Sequence, residues 1–209
     1  MFYFIKSPWW LKRFFPERLW TIDTKGKKII YLTFDDGPNP IATPFVLNEL
    51  SKYNAKATFF CIGKNVETNF GLYKNIINDG HAVGNHTFSH LNGWKTDDKV
   101  YMEDIDRAKK IIDSTLFRPP YGRISLFQTK LLHQHKLNFK IVMWSVLSGD
   151  FDIKLSPKKC LNNVLLSTQS GDIIVFHDSE KAFERLQYVL PKMLAYFSDK
   201  GYRFEKIKN

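Results

Sequence analysis

The feature that most constrains the fold is a strand-then-helix alternation running from residue 28 to the end of the 209-residue chain. The apolar run Ile29 to Phe34 predicts a buried strand, and Thr43-Pro44 an N-cap and first helical residue for a helix reaching Tyr53. Ala55 to Ile62 reads as a second strand, Asn65 to Asp79 as a helix closed by Gly80, and His81 to Asn85 as a short third strand. Asp97 caps a helix with apolar positions at Val100, Ile105, Ala108, Ile111 and Ile112, after which the double proline of Arg118-Pro119-Pro120-Tyr121-Gly122 denies both helix and central strand. Ser125 and Gln128 form a capping-box pattern for a helix to His135, Phe139 to Leu147 is a strand, and Ser156-Pro157 starts another helix. Asp172 to Phe176 is the next strand, followed by a helix from Pro191 to Lys200, stopped by Gly201, and a last strand from Tyr202 to Ile207. Parallel neighbours need crossover connections, so this alternation predicts a parallel sheet covered by helices, either a barrel or an open doubly wound sheet.

No linker, internal repeat or low-complexity segment divides the chain, and its 44% hydrophobic content suffices for one core. Residues 1–27 read as an aromatic and basic extension packed on a domain of residues 28–209. Within MFYFIKSPWWLKRFFPERLW, residues Lys6, Pro8, Lys12 and Arg13 interrupt every apolar stretch before signal-peptide or membrane-spanning length, so a cytoplasmic protein is expected. The rings of the extension are expected to pack on the domain as a strap. The alternative is peripheral membrane contact through residues 1–20, with Phe2, Phe4, Trp9, Trp10, Phe14 and Phe15 at the surface and Lys and Arg facing headgroups. Lys and Arg outnumber Asp and Glu by 31 to 21, a net charge of +10 that favours anionic partners. No block of like charges occurs, which reads as a basic solvated surface, and no nucleic-acid partner is expected. Cys61 and Cys160 read as buried thiols outside any disulfide framework. The oligomeric state is left open.

Parallel α/β architectures place ligands at the carboxyl ends of their strands, and that is where the unusual polar residues fall. Asp35 and Asp36 directly follow the first strand; such neighbours repel, and a divalent cation supplies compensation, one Asp binding it while the other takes a proton from water. His86 and His90 form an H-x-x-x-H pair, a spacing that presents two imidazoles to one point on a helical turn, and Asp36 completes a three-ligand set with positions left open for water and substrate. The stiff Arg118-to-Gly122 loop can hold Arg118 beside a carboxylate and aim the Tyr121 backbone N–H at a developing oxyanion. His177, at a strand terminus, is suited to general-acid work, and Asp150 to orienting it and keeping it protonated. His81, His133 and His135 read as surface or core polar contacts. Two histidines and a carboxylate also fit a non-haem iron oxygenase, against which Asp35, Arg118 and His177 supply a hydrolytic base and acid; a glycan-binding protein without activity is the other alternative.

TFDDGP, HTFSH, RPPYG, the Trp144-to-Phe151 segment and VFHD occur in the order seen in the polysaccharide deacetylase family, carbohydrate esterase family four, and the chain resembles that family over about residues 28 to 207. The resemblance implies a distorted (β/α) barrel of about seven parallel strands that hydrolyses acetyl groups on N-acetylated sugars or glycans. It implies a divalent metal, zinc foremost with cobalt, manganese or nickel as alternatives, on Asp36, His86 and His90. Asp35 is then the general base paired with Arg118, Tyr121 the oxyanion amide, His177 the general acid and Asp150 its tuner. Pro120, Trp144, Phe151 and Val175 are expected at the substrate. Phe151 stands where the family usually has Trp and Val175 where it usually has Leu; both stay apolar, so a pocket for an acetyl methyl is retained with an altered shape.

Overall fold

The computed structural model describes residues 3–135 and 138–208, so Phe2 lies outside the described residues. Its centre is β1 (Ile29–Asp35), buried at all seven positions, as a strand covered on both faces must be. Parallel strands flank it in the order β5 (Lys140–Ile141), β4 (Leu116–Phe117), β3 (Ala82–Asn85), β2 (Ala57–Cys61), β1, β7 (Ile173–His177) and β6 (Val146–Leu147), and β8 (Arg203–Phe204) pairs with the start of β1. The seven flanking and central strands curl into the distorted barrel that the alternation and the resemblance predict.

Side chains alternate across β1. Phe34 faces outward and stacks between its register partners Phe59 of β2 and Phe176 of β7, with ring centroids 5.1 and 6.0 Å away. Helices α2 (Ala42–Ser51), α7 (Pro157–Ser167) and α8 (Glu180–Asp199) contribute Val46, Leu50, Val164, Leu186 and Leu190 to this same core. The opposite face of β1 sends Thr33 and Asp35 into the barrel, both buried. Cys61 and Cys160 are buried and free, and burial raises both thiol pKa values.

Several local readings hold: Asp97 caps α5 (Asp98–Lys109), Ser125 and Gln128 make the capping box of α6 (Leu126–Gln134), and Ser156 caps α7. Others are corrected. Asn39, not Thr43, caps α2 by accepting the amides of Ile41 and Ala42, which leaves the Thr43 hydroxyl free to donate to Asp178. The helix expected over 65–79 is two, α3 (Gly63–Thr68) and α4 (Phe70–Asn78), because Asn69 leaves helical conformation. On α5 it is Tyr101 that is buried, whereas Val100 is exposed.

The strand expected over 139–147 is split. β5 and β6 sit at opposite edges of the sheet, and residues 142–145 carry the chain between them. Their backbone groups are committed elsewhere: the Val142 and Met143 carbonyls accept from Arg118, and the Met143 amide donates to Leu19. The N-terminal extension completes this seam, Leu19 bridging Val142, Lys6 bridging Val146 and Thr21 bridging Asp172, which covers both exposed sheet edges. Leu11 and Phe15 pack on the adjoining core with buried Trp20. They occupy the inward face of α1 (Trp9–Phe14) and its C-terminal end, so Phe4, Trp9, Trp10 and Phe14 stand in solvent, against the expectation that the strap buries them.

Helix α8 begins eleven residues before the expected start at Pro191, which lies in its interior. Proline there removes a backbone hydrogen bond and costs about 3 kcal/mol relative to alanine, offset by the buried stripe of Ala182, Leu186, Val189, Leu190, Met193, Leu194 and Phe197. Pro191→Ala is expected to raise the unfolding free energy by about 1–3 kcal/mol in urea titrations; a loss of stability would show that the packing requires the helix as proline shapes it.

Candidate active site

Strand register assembles the site. Asp35 pairs with His177 across β1 and β7, while Cys61 pairs with Asn85 and Asn85 with Phe117 across β2, β3 and β4. The strands are parallel, so Asp35, Asp36, His86, Arg118, His177 and Asp178 emerge on one rim, although up to 143 positions separate them in the chain.

At that rim His86 Nε2 lies 3.7 Å and His90 Nε2 3.2 Å from Asp36 Oδ1, and among the described residues these three form the one cluster with metal-ligand geometry. The chemistry of the donors fits a divalent cation. Asp36 Oδ1 is buried without a hydrogen-bond partner, a costly state for a carboxylate oxygen that a metal relieves. His86 Nδ1 lies 2.7 Å from the Arg118 carbonyl, which only accepts, so Nδ1 carries the proton and Nε2 presents its lone pair to the cluster. Burial, partly opposed by Asp35, holds the His86 pKa at about 4, which keeps the ring neutral. Burial works to raise the Asp36 carboxyl, but the imidazoles of His90, His177 and His86 outweigh it and hold the group below the ordinary carboxylate range.

The two imidazoles do not share a helical turn, as their spacing suggested. Residues 86–90 form a loop in which Thr87 and His90 take positive φ, 63° and 58°. Asn85 accepts the Thr87 amide, and Asp104 of α5 accepts the amides of Phe88 and Ser89 through one oxygen, at 2.8 and 2.9 Å.

Asp35 meets the fully buried Arg118, with Oδ1 2.7 Å from Nη1. His177 Nδ1 lies 2.8 Å from Asp150 Oδ1, and the His177 amide donates to Asp150 Oδ2 at 2.8 Å. Burial lowers the His177 pKa, but Asp150, with Asp36 and Asp35 behind it, more than reverses this and pushes it up to about 9. The Phe151 ring meets the His177 ring edge-on at 5.3 Å, and Val175 is buried on the same strand face as His177. Pro120 is buried; Tyr121 is exposed, takes φ 59° and sets its ring against His90 at 4.7 Å. Trp144 is half-buried, its ring 5.9 Å from the Arg118 guanidinium. A Cβ on Gly122 would stand 2.7 Å from Trp144, so this turn closes only with glycine.

Two supporting residues, Arg185 and Asp104, escaped the sequence reading, and a third, Asp178, shows there only as the polar end of the VFHD motif, without a role. Arg185 of α8 is buried and donates to the Asp150 carbonyl at 2.7 Å; its signal was a cation inside the apolar stripe of a helix. Asp178 accepts from the Gly37 amide and the Thr43 hydroxyl, and burial pushes its carboxyl up to about 8. Asp104 had no signal, being one acid among many on a solvated helix. Asp104→Ala is expected to weaken zinc or cobalt binding by about 10–100-fold in chelator competition, because the His90 loop loses its anchor; unchanged affinity would show that the loop holds itself.

The site can be set beside known proteins. Residues 22–141 match the family model described as Polysaccharide deacetylase. A peptidoglycan-N-acetylglucosamine deacetylase of Bacillus cereus is 37% identical over 187 residues, covering 86% of either chain. A chitooligosaccharide deacetylase of Azorhizobium caulinodans is 34% identical over 74% of this chain and 76% of its own. A crystal structure of a peptidoglycan N-acetylglucosamine deacetylase in complex with 4-naphthalen-1-yl-N-oxidanyl-benzamide superposes with a TM-score of 0.86 at 32% identity, over 96% of this chain and 95% of that one. Motif order, barrel and similarity across nearly the whole length agree: this chain belongs to the polysaccharide deacetylase family.

Proposed function

We propose that this chain is a metal-dependent deacetylase that hydrolyses the N-acetyl group of N-acetylglucosamine units in a glycan of the peptidoglycan or chitooligosaccharide class, releasing acetate. One observation carries the reading: three converging metal-ligand atoms sit on the same rim as a guanidinium-bound carboxylate and a carboxylate-bound imidazole. Two imidazole nitrogens and one carboxylate oxygen suit zinc, and Asp36, His86 and His90 are the residues that hold it. When bound, the cation polarises the acetyl carbonyl and acidifies the attacking water.

The rest falls to side chains of this protein. Arg118 holds Asp35 by one oxygen, which sets the carboxylate to take the proton that the attacking water gives up. The Tyr121 backbone N–H stabilises the charge that develops on the acetyl oxygen. His177, fixed through Nδ1 by Asp150, delivers a proton from Nε2 to the sugar nitrogen as the C–N bond breaks. Acetate and a free amine result, with one proton taken from water and one given to nitrogen. Phe151, Val175, Trp144 and Pro120 form the apolar wall for the acetyl methyl and the sugar ring.

Zinc-loaded protein is expected to release acetate from N-acetylated oligosaccharides. Asp35→Asn should keep the metal and lose about 10²–10⁴-fold in turnover; undiminished acetate release by that variant would sink the assignment. The pH dependence gives a separate check. His177 holds its proton below about 9, so activity falls as pH rises toward that value, and a cation on Asp36 moves the fall to lower pH by offsetting the carboxylates. In Asp150→Asn, burial is left without its main opponent, and the alkaline limb is expected to drop by about two pH units or more. A limb that does not move would remove His177 from the acid's role.

A further inference from the structure

We propose that the outer face of α1, together with Phe4, is a docking surface for an anionic lipid bilayer. This inference is independent of the catalytic assignment. Trp9 and Phe14 are 77% and 72% exposed, Phe4 and Trp10 47% and 42%. They are not scattered: Phe4 meets Trp10 at 6.3 Å between ring centroids, and Trp10 meets Phe14 at 6.4 Å. Exposed large apolar side chains are ordinary one at a time, but a contiguous set implies something that covers them.

The domain does not cover them, because α1 already presents Leu11 to it, with Phe15 just beyond the helix end. The helix is thus apolar on two sides, and only one side has found an apolar medium. Charge then selects the occupant. Residues 1–18 hold Lys6, Lys12, Arg13 and Arg18 against a single acid, Glu17, and Arg13 is exposed between the rings of Trp10 and Phe14 in sequence. Lys6 is engaged by Asp172 and Arg18 is buried over Phe15, which leaves Lys12 and Arg13 as the cations carried by the helix itself. Tryptophan and phenylalanine flanked by basic side chains, on a protein with a net charge of +10, match the headgroup layer of an anionic membrane. Among the described residues no helix is long and apolar enough to cross a membrane, so the contact lies in the interface plane.

The patch also adjoins the candidate site. Tyr3, next to Phe4, sets its ring against Phe151 at 5.2 Å, and Phe151 packs on His177. A bilayer held by Phe4 and α1 therefore lies close to the acid side of the pocket.

Co-sedimentation tests this with sucrose-loaded vesicles of phosphatidylcholine alone and of an equal mixture of phosphatidylcholine and phosphatidylglycerol. The full chain is compared with a Trp9→Ser, Trp10→Ser, Phe14→Ser triple variant and with Arg13→Glu. The full chain should pellet with the anionic vesicles, the triple variant should partition about tenfold less or weaker still, and Arg13→Glu should lose binding to the anionic vesicles alone. Circular dichroism and acetate release from a soluble oligosaccharide should be unchanged in both variants, which separates lost docking from lost folding. A full chain that stays in the supernatant with both vesicle types overturns the proposal, as does equal pelleting by the triple variant. Light scattering that shows a dimer abolished by the triple variant, without vesicle binding, would assign the face to a second copy of the chain and overturn it as well.

Discussion

A guanidinium sealed inside a barrel has no water to solvate it, and leaving such a charge unpaired costs several kcal/mol. Arg118 therefore dictates much of what surrounds it. Its Nη1 needs Thr33 and Asp35, its Nε the Val142 carbonyl and its Nη2 the Met143 carbonyl, while its flat face rests on Phe60 at 4.1 Å. This explains a threonine in an otherwise apolar strand, an aspartate side chain within the barrel, and a chain segment bent away from the sheet. The Arg118 carbonyl meanwhile fixes the tautomer of His86. One residue thus couples the carboxylate proposed as base, a ligand of the metal cluster and the closure of the barrel.

The fold class and most of the site were legible because parallel strands bring chain-distant polar residues to one rim. Asp35, Asp36, His86 and His177 each follow or end a strand that the sequence shows, and the rule that ligands gather at carboxyl ends sufficed to converge them; Arg118 follows β4, a two-residue strand that the reading of its segment as a stiff loop passed over. What stayed illegible depends on tertiary partners. Nothing in Phe139 to Leu147 announces a break, since the break is made by the guanidinium and Leu19 that take its backbone groups. The H-x-x-x-H spacing suggested a helical turn because it satisfies one, yet the imidazoles converge through a loop tied down by Asn85 and Asp104. Pro191 looked like a start because proline favours first turns, and only the buried stripe on both sides of it reveals a helix interior. The aromatic strap was half right: Leu11, Phe15 and Trp20 pack on the domain, whereas Phe4, Trp9, Trp10 and Phe14 are exposed.

The adjacent carboxylates show how one strand end serves two kinds of chemistry. Asp35 points into the barrel and is claimed by a fixed cation, Arg118, whereas Asp36 takes φ 81° and turns toward the imidazoles of His86 and His90, with which it forms the candidate metal site. Repulsion between neighbours is eased by giving Asp35 a fixed cation and turning Asp36 away from it, toward the candidate cation site. Asp178, hydrogen-bonded to the Gly37 amide beside Asp36, holds the turn that follows the two carboxylates: a Cβ on Gly37 would collide with its carboxylate, so the chain passes that point only as glycine.

The pairing of Asp35 with His177 across β1 and β7 has a dynamic consequence. The two residues face each other on one rung of the ladder, locked by the Asp178 amide on the Asp35 carbonyl. Parallel neighbours keep a spacing of about 4.8 Å through any motion that leaves the ladder intact. Breathing of the surrounding loops can therefore widen or narrow the entrance while the two residues proposed to carry protons travel together, so flexibility at the entrance does not blur the distance between them.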